Sequence, residues 1–249
     1  MAGEFHREAE GEGNLFNARD SGRRWPMNNL PYVFWLNHLT EVGCKWREVD
    51  FDTRAIVRGL KQEGFNGYLE VRMKGGTKRF TSQDIDEFIA MLLPVVGEKL
   101  RDDIKGPISI VPIPNSGMAS GVADEFRCVE LAKLVAKGFG PDAEVCAAVV
   151  WDKPREKSHK KNEYRHPDLY EPHMQLAEKP NNTVVLFDDV LTSGSQMIAA
   201  ARMLTKAGFP PALGLVVARA TKAQVEGKVF EKHNDELKLA RDPFDFNGF

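Results

Sequence analysis

From residue 183 to residue 207 the chain reads as one supersecondary unit, and few folds can accommodate it. Val184-Val185-Leu186-Phe187 is a short apolar run, the pattern of a strand buried on both faces of a parallel sheet. It leads into two adjacent carboxylates, Asp188 and Asp189, and then into the turn Thr192-Ser193-Gly194-Ser195. An apolar-periodic helix follows over 195–207. The first amide N–H groups of such a helix have no intrahelical partner, and with the helix dipole they form an anion site. Gly194 lets the backbone approach an anion closely. Asp-Asp alone more often means acidic loop residues before a helix cap. The uninterrupted order of strand, paired acids, Thr-Ser-Gly-Ser and helix reverses that balance toward a site for a phosphorylated sugar.

Strand and helix alternate on both sides of this unit. Strands are predicted over 108–113, 144–151, 183–187 and 213–218, and helices over 124–138 and 195–207. Alternation of this kind makes an α/β fold, a mostly parallel twisted sheet flanked by helices, with ligands beyond the carboxyl ends of the strands. An earlier helix runs from about Thr81 to Asp103, with Ile85, Phe88, Ile89, Leu92 and Leu93 at helical spacing; Pro94 is expected to bend or break it.

The flanks divide as follows. Residues 1–24 are polar and Gly-containing and are expected to be disordered; 25–105 form an N-terminal α+β extension or hood. Residues 106–220 form the core, and 221–249 a C-terminal segment with a polar helix over about 221–240. Within the extension, 31–36 looks like a helix opening with proline in its first turn, 46–51 a short strand, 53–62 a helix and 68–73 a strand.

Composition narrows the partners. A formal charge of -2 gives no generic attraction to nucleic acid or to an anionic membrane, so nucleic acid is disfavoured and no membrane association is expected. Cys44, Cys128 and Cys146 are widely spaced, without zinc-ligand spacing, and read as buried small hydrophobes in a reducing compartment. With no long apolar span and no signal peptide at the acidic start, the expected location is cytoplasmic. No GxxxxGK[ST] or GxGxxG pattern occurs, which argues against a nucleoside-triphosphatase or dinucleotide reading.

The 184–196 string resembles the signature with which type I phosphoribosyltransferases bind PRPP (5-phosphoribosyl 1-diphosphate). The resemblance implies that Asp188 and Asp189 hold the ribose hydroxyls, while Thr192, Ser193, Gly194, Ser195 and Gln196 surround the 5-phosphate. Gln196 departs from the family pattern, which usually ends in Ser or Thr; its backbone amide is unaffected, but a hydroxyl contact is lost. The strand-to-turn sequence Ile108-Ser109-Ile110-Val111-Pro112-Ile113-Pro114-Asn115-Ser116-Gly117 is closest in wording to ComF-like phosphoribosyltransferases. By resemblance, Asn115, Ser116 and Gly117 bind pyrophosphate.

Between two core strands, residues 153–165 hold six Lys/Arg against two Glu in a chain of net charge -2. The family places a mobile loop there that closes over the diphosphate, which assigns Lys153 a catalytic role and Lys157 and Lys160 substrate contacts. A solvated basic loop is the plainer reading of the same residues.

The activity implied is displacement of pyrophosphate from C1 of PRPP by a nitrogen nucleophile, a pentosyl transfer in nucleotide metabolism. Mg²⁺ is the implied cofactor, carried on PRPP near Asp188 and Asp189 with no direct protein ligand assigned. The partner is a small molecule, PRPP or a nucleotide, and a homodimer is compatible with the reading. The alternative keeps the fold without catalysis, as a regulatory protein sensing PRPP or a nucleotide. Residues 25–80 and the C-terminal segment are the candidates for recognising the acceptor, whose identity the sequence leaves open.

Overall fold

The computed structural model describes residues 29–41, 43, 45–73, 75–115, 118, 126–154, 166–227 and 229–239. In chain order the strands begin with β1 (Asn29–Phe34) and β2 (Leu36–Leu39), followed by helix α1 (Glu48–Leu60). A hairpin of β3 (Leu69–Met73) and β4 (Gly76–Phe80) leads to α2 (Ile85–Leu100). Then come β5 (Ile108–Pro112), α3 (Arg127–Phe139), β6 (Ala143–Val145) and β7 (Val149–Trp151). Two 3-10 turns, Pro167–Leu169 and Glu171–His173, precede β8 (Met174–Leu176). The remaining elements are β9 (Thr183–Leu191), α4 (Ser195–Lys206), β10 (Pro211–Thr221) and β11 (His233–Lys238).

Seven strands make the central sheet, in the order β11-β1-β10-β9-β5-β6, with β2 continuing the ladder on β10. Every pairing in it is parallel except that of β11 on β1. The α/β class and the mostly parallel sheet flanked by helices are therefore as expected. The run at 184–187 shows why the sheet must be covered twice. Val185 and Phe187 face a core made with α1, α2 and α3, while Val184 and Leu186 face a second core with α4. Among the described residues no helix is long and apolar enough to cross a membrane.

Several local expectations are corrected. Residues 31–36 are strand, not helix: Leu30, Tyr32 and Phe34 pack on one face of the sheet and Val33 and Trp35 on the other. Pro31 lies opposite Glu236 in the ladder with β11 and just outside the one with β10, which begins at Tyr32. Residues 46–51 do not form a strand, since α1 starts at Glu48. The Arg47 backbone N–H donates to Asp50 Oδ2 at 2.8 Å, an acid at the third helical position satisfying the cap.

Pro94 does not break α2. The lost hydrogen bond and ring clash, about 3 kcal/mol in a helix interior, are offset by the buried stripe Phe88, Ile89, Leu92, Leu93, Val96 and Leu100. The predicted strand over 144–151 is two short strands in different sheets, β6 and β7. The polar helix expected over 221–240 is instead loop and the antiparallel edge strand β11, whose residues alternate between half-buried and exposed. Its charges suit a sheet edge, where they discourage further pairing. The segment assigned to an extension also supplies β1 and β2 to the central sheet itself.

Candidate active site

The site grows from unequal strand lengths. β5 ends at Pro112, paired with Phe187, whereas β9 continues to Leu191 alongside β10. Asp188 and Asp189 thus lie inside the strand, in the stretch that β5 no longer covers. Sequence reading had ended the strand at 187. In this stretch the backbone N–H of Asp189 donates to Asp188 Oδ1 at 2.9 Å, and that of Val190 donates to Asp189 Oδ1 at 2.7 Å.

Asp188 retains some solvent exposure, yet its packed surroundings push its carboxyl well above the usual range. The adjacent Asp189 charge adds to that rise, and Lys61 at the end of α1 opposes it. A carboxyl raised in this way beside a second acid can bind a diol and also hold a proton.

After Leu191 the chain turns through exposed Thr192 and Ser193 into α4. Gly194 sits at φ 73°, in the left-handed region that favours glycine. A Cβ there would also meet Leu237 Cδ2 of β11 at 2.7 Å. Conformation therefore requires glycine, and any side chain there would also make Leu237 shift. Ser193 Oγ lies 3.0 Å from Ser195 Oγ, and Ile198 N–H closes the first helical bond on the Gly194 carbonyl at 2.9 Å. The Ser195 amide donates to Ser193 Oγ at 3.4 Å, and the amides of Gln196 and Met197 follow it at the helix end ahead of that ladder.

The other implied loop is anchored beside the acids. Ile113 N–H donates to the Phe187 carbonyl at 2.8 Å, and the Asn115 carbonyl accepts from Trp151 Nε1 at 2.7 Å and from Met118 N at 3.1 Å. The Asn115 residue is exposed. Cys128, at the start of α3, lies with its Sγ 3.7 Å from Met118 Sδ. Burial pushes its thiol up to about 11, with the charges of Asp188 and Asp189 adding to the effect. The expected buried cysteine is thus half-buried and held as a thiol; Cys146 is buried, and Cys44 lies outside the described residues.

Asp188, Asp189, the 192–196 turn and the Asn115 loop therefore share the carboxyl edge of the sheet. Lys153 is exposed just past Trp151, whose backbone N–H donates to Met118 O at 2.9 Å. Its neighbour Asp152 pairs with His173 Nδ1 at 3.0 Å. Ser116, Gly117, Lys157 and Lys160 lie outside the described residues.

Sequence reading missed the basic residues contributed by the N-terminal segment. β2 places His38 beside Ala220 of β10 at this edge, with His38 Nδ1 buried and unpartnered among the described residues. Burial, then the charges of Lys61 and Arg54, lowers the His38 pKa to about 4. Lys61 acts on both His38 and Asp188 and so links α1 to the acids. No local pattern marks these residues, because only the placement of β2 on β10 brings them there.

No family model matches the chain, and no curated protein matches it. Among solved structures, adenine phosphoribosyltransferase from Saccharomyces cerevisiae, complexed with an imino-altritol bisphosphate and adenine, is 13% identical with a TM-score of 0.31. That match covers 67% of this chain and 89% of that one. Adenine phosphoribosyltransferase from Leishmania tarentolae is 13% identical with a TM-score of 0.30, covering 70% and 89%. Likeness at this level carries no argument about chemistry, which rests on the site itself.

Proposed function

We propose that the chain is a phosphoribosyltransferase that moves the 5-phosphoribosyl group of PRPP to a nitrogen acceptor and releases pyrophosphate. The observation that carries this reading is the Asp188–Asp189 pair, held in the uncovered end of β9 directly before the Gly194 turn and the start of α4. That spacing matches a ribose diol followed by its 5-phosphate.

In this reading Asp188 and Asp189 accept hydrogen bonds from the ribose hydroxyls and favour the positive charge that develops on the ring as the C1–O bond breaks. Asp188, with its raised carboxyl, is the group able to take the proton leaving the nitrogen nucleophile. The amides of Ser195 and Gln196 and the hydroxyls of Thr192 and Ser193 hold the 5-phosphate. Asn115, with Ser116 and Gly117, receives the pyrophosphate end, and Lys153, Lys157 and Lys160 neutralise it.

The donors suit Mg²⁺ of the kind carried on substrate phosphates. Among the described residues no group of three or more His, Cys, Asp or Glu could hold a metal, whereas Mg²⁺ needs only one or two carboxylates besides phosphate and water. Asp188 and Asp189 are the residues that would hold it, and the chemistry supplied is neutralisation of the leaving diphosphate.

The test is pyrophosphate release from PRPP and Mg²⁺ across a panel of nucleobases and amines, with Asp189→Asn in parallel. Acceptor-dependent release that falls with the variant supports the proposal. Tight PRPP binding with no turnover on any acceptor would establish the sensing role instead. Absence of binding by both PRPP and nucleoside monophosphates overturns the site.

A further inference from the structure

A cavity of about 420 Å³ opens on the helical side of the sheet, among α1, α2, β3 and the turn at Val229 and Phe230. It shares no residue with the acids of β9 or with the 192–196 turn. Phe88 and Met91 of α2 and Phe230 line it, giving ring faces and a thioether that suit a flat aromatic body.

Its charged lining is two bases, Arg72 and Lys99, and two acids, Asp52 and Glu70. Arg72 and Lys99 line the cavity and are exposed, and neither side chain has a partner among the described residues. Arg79 on the same hairpin is engaged with Glu70 at 2.9 Å. The other acid in the wall, half-buried Asp52, has its carboxyl raised by burial and then by the charges of Glu48 and Glu70, so its ionised form is disfavoured. Trp35, only 2% exposed, also lines the cavity, and its Nε1–H is buried with no hydrogen-bond partner among the described residues. A buried donor without an acceptor costs free energy that a ligand oxygen can recover.

We propose that this cavity binds an aromatic anion. The flat apolar body lies between α2 and β3, the anionic group rests on Arg72 and Lys99, and an oxygen at the opposite end accepts from Trp35 Nε1–H. The site is separate from PRPP chemistry, so its test reads binding and not turnover.

The experiment is calorimetric titration of the full chain with 2-naphthoate, 6-hydroxy-2-naphthoate and 2-naphthylmethylamine. The two acids bind one-to-one, the hydroxylated one more tightly, and the amine about tenfold more weakly than either. Arg72→Glu and Lys99→Glu each weaken the acids by about fivefold or more. Trp35→Phe removes the preference for the hydroxyl. Val95→Trp, at a lining position 48% exposed, blocks all three probes while circular dichroism and Tm stay unchanged. Equal or tighter binding of the amine, unaltered binding in both charge reversals, or no saturable binding of any probe overturns the proposal.

Discussion

Gly194 and Leu237 meet so closely that a single added methyl would bring them to 2.7 Å, which ties the turn before α4 to the edge strand β11. Gly194→Ala adds both that clash and a side chain at φ 73°. The expected loss is about 1–3 kcal/mol of stability, together with weaker phosphate binding. Adding Leu237→Ala relieves the clash but not the backbone strain. Chemical denaturation of the two variants therefore shows partial recovery in the double mutant, and full recovery would show that the conformation costs nothing.

The paired acids separate stability from activity. The raised carboxyl of Asp188 means that the folded state holds its proton more tightly than the unfolded chain does. The stability this lends is complete below the unfolded pKa of about 3.9 and is lost as pH rises through the raised value. Asp188→Asn escapes that loss, so its Tm at pH 7–8 exceeds the parent's by about 2–4 °C, and the gap closes on acidification. Under the proposed function, phosphoribosyl transfer by Asp188→Asn and Asp189→Asn falls about 100-fold. Melting curves between pH 4 and 8, set beside initial rates, check both halves.

His38 titrates in the opposite sense. With its pKa lowered to about 4, the folded state favours the neutral ring. The associated stability is present above the unfolded value of about 6.5 and is lost as pH falls toward 4. In His38→Gln the decline of Tm across that window flattens. An unchanged slope would remove His38 from the charged group around Lys61.

The crossing of α2 and α3 allows no side chain at two points. A Cβ on Gly138 would run into the Pro94 carbonyl, and one on Gly97 into the Val135 carbonyl. Backbone cannot yield as a flexible side chain can, so Gly138→Ala costs about 1–3 kcal/mol. Urea unfolding checks this, with Gly64→Ala as a reference, where an added Cβ meets only Ser82 Oγ at 3.5 Å.

What the sequence disclosed follows the range of the forces involved. The 184–187 strand and the helix after Gly194 were legible because a continuous apolar run and a helix start are written within a few residues. The 31–36 segment was misread for the opposite reason. An aromatic, apolar stretch opening with proline fits a helix as well as a strand, and only β10 and β11, contributed from the other end of the chain, decide between them. His233–Lys238 is similar, since its polar residues carry little local signal and become strand by pairing with β1. At the site the acids were visible, but Lys61 and His38 were not, because their relation to Asp188 is a product of sheet order.

The central place of β1 also sets a timetable. Its neighbours, β10 and β11, are separated from it by almost the whole described chain. During synthesis this apolar strand leaves the ribosome ahead of the other described elements and waits for partners made after them. Contacts this distant in sequence slow folding and prolong the exposure of sticky surface. The β2 segment that carries His38 waits with it, because its ladder is also on β10. The electrostatics around the acids are therefore among the last properties the molecule acquires, and chaperone dependence should follow the interval between the appearance of Asn29 and Thr221.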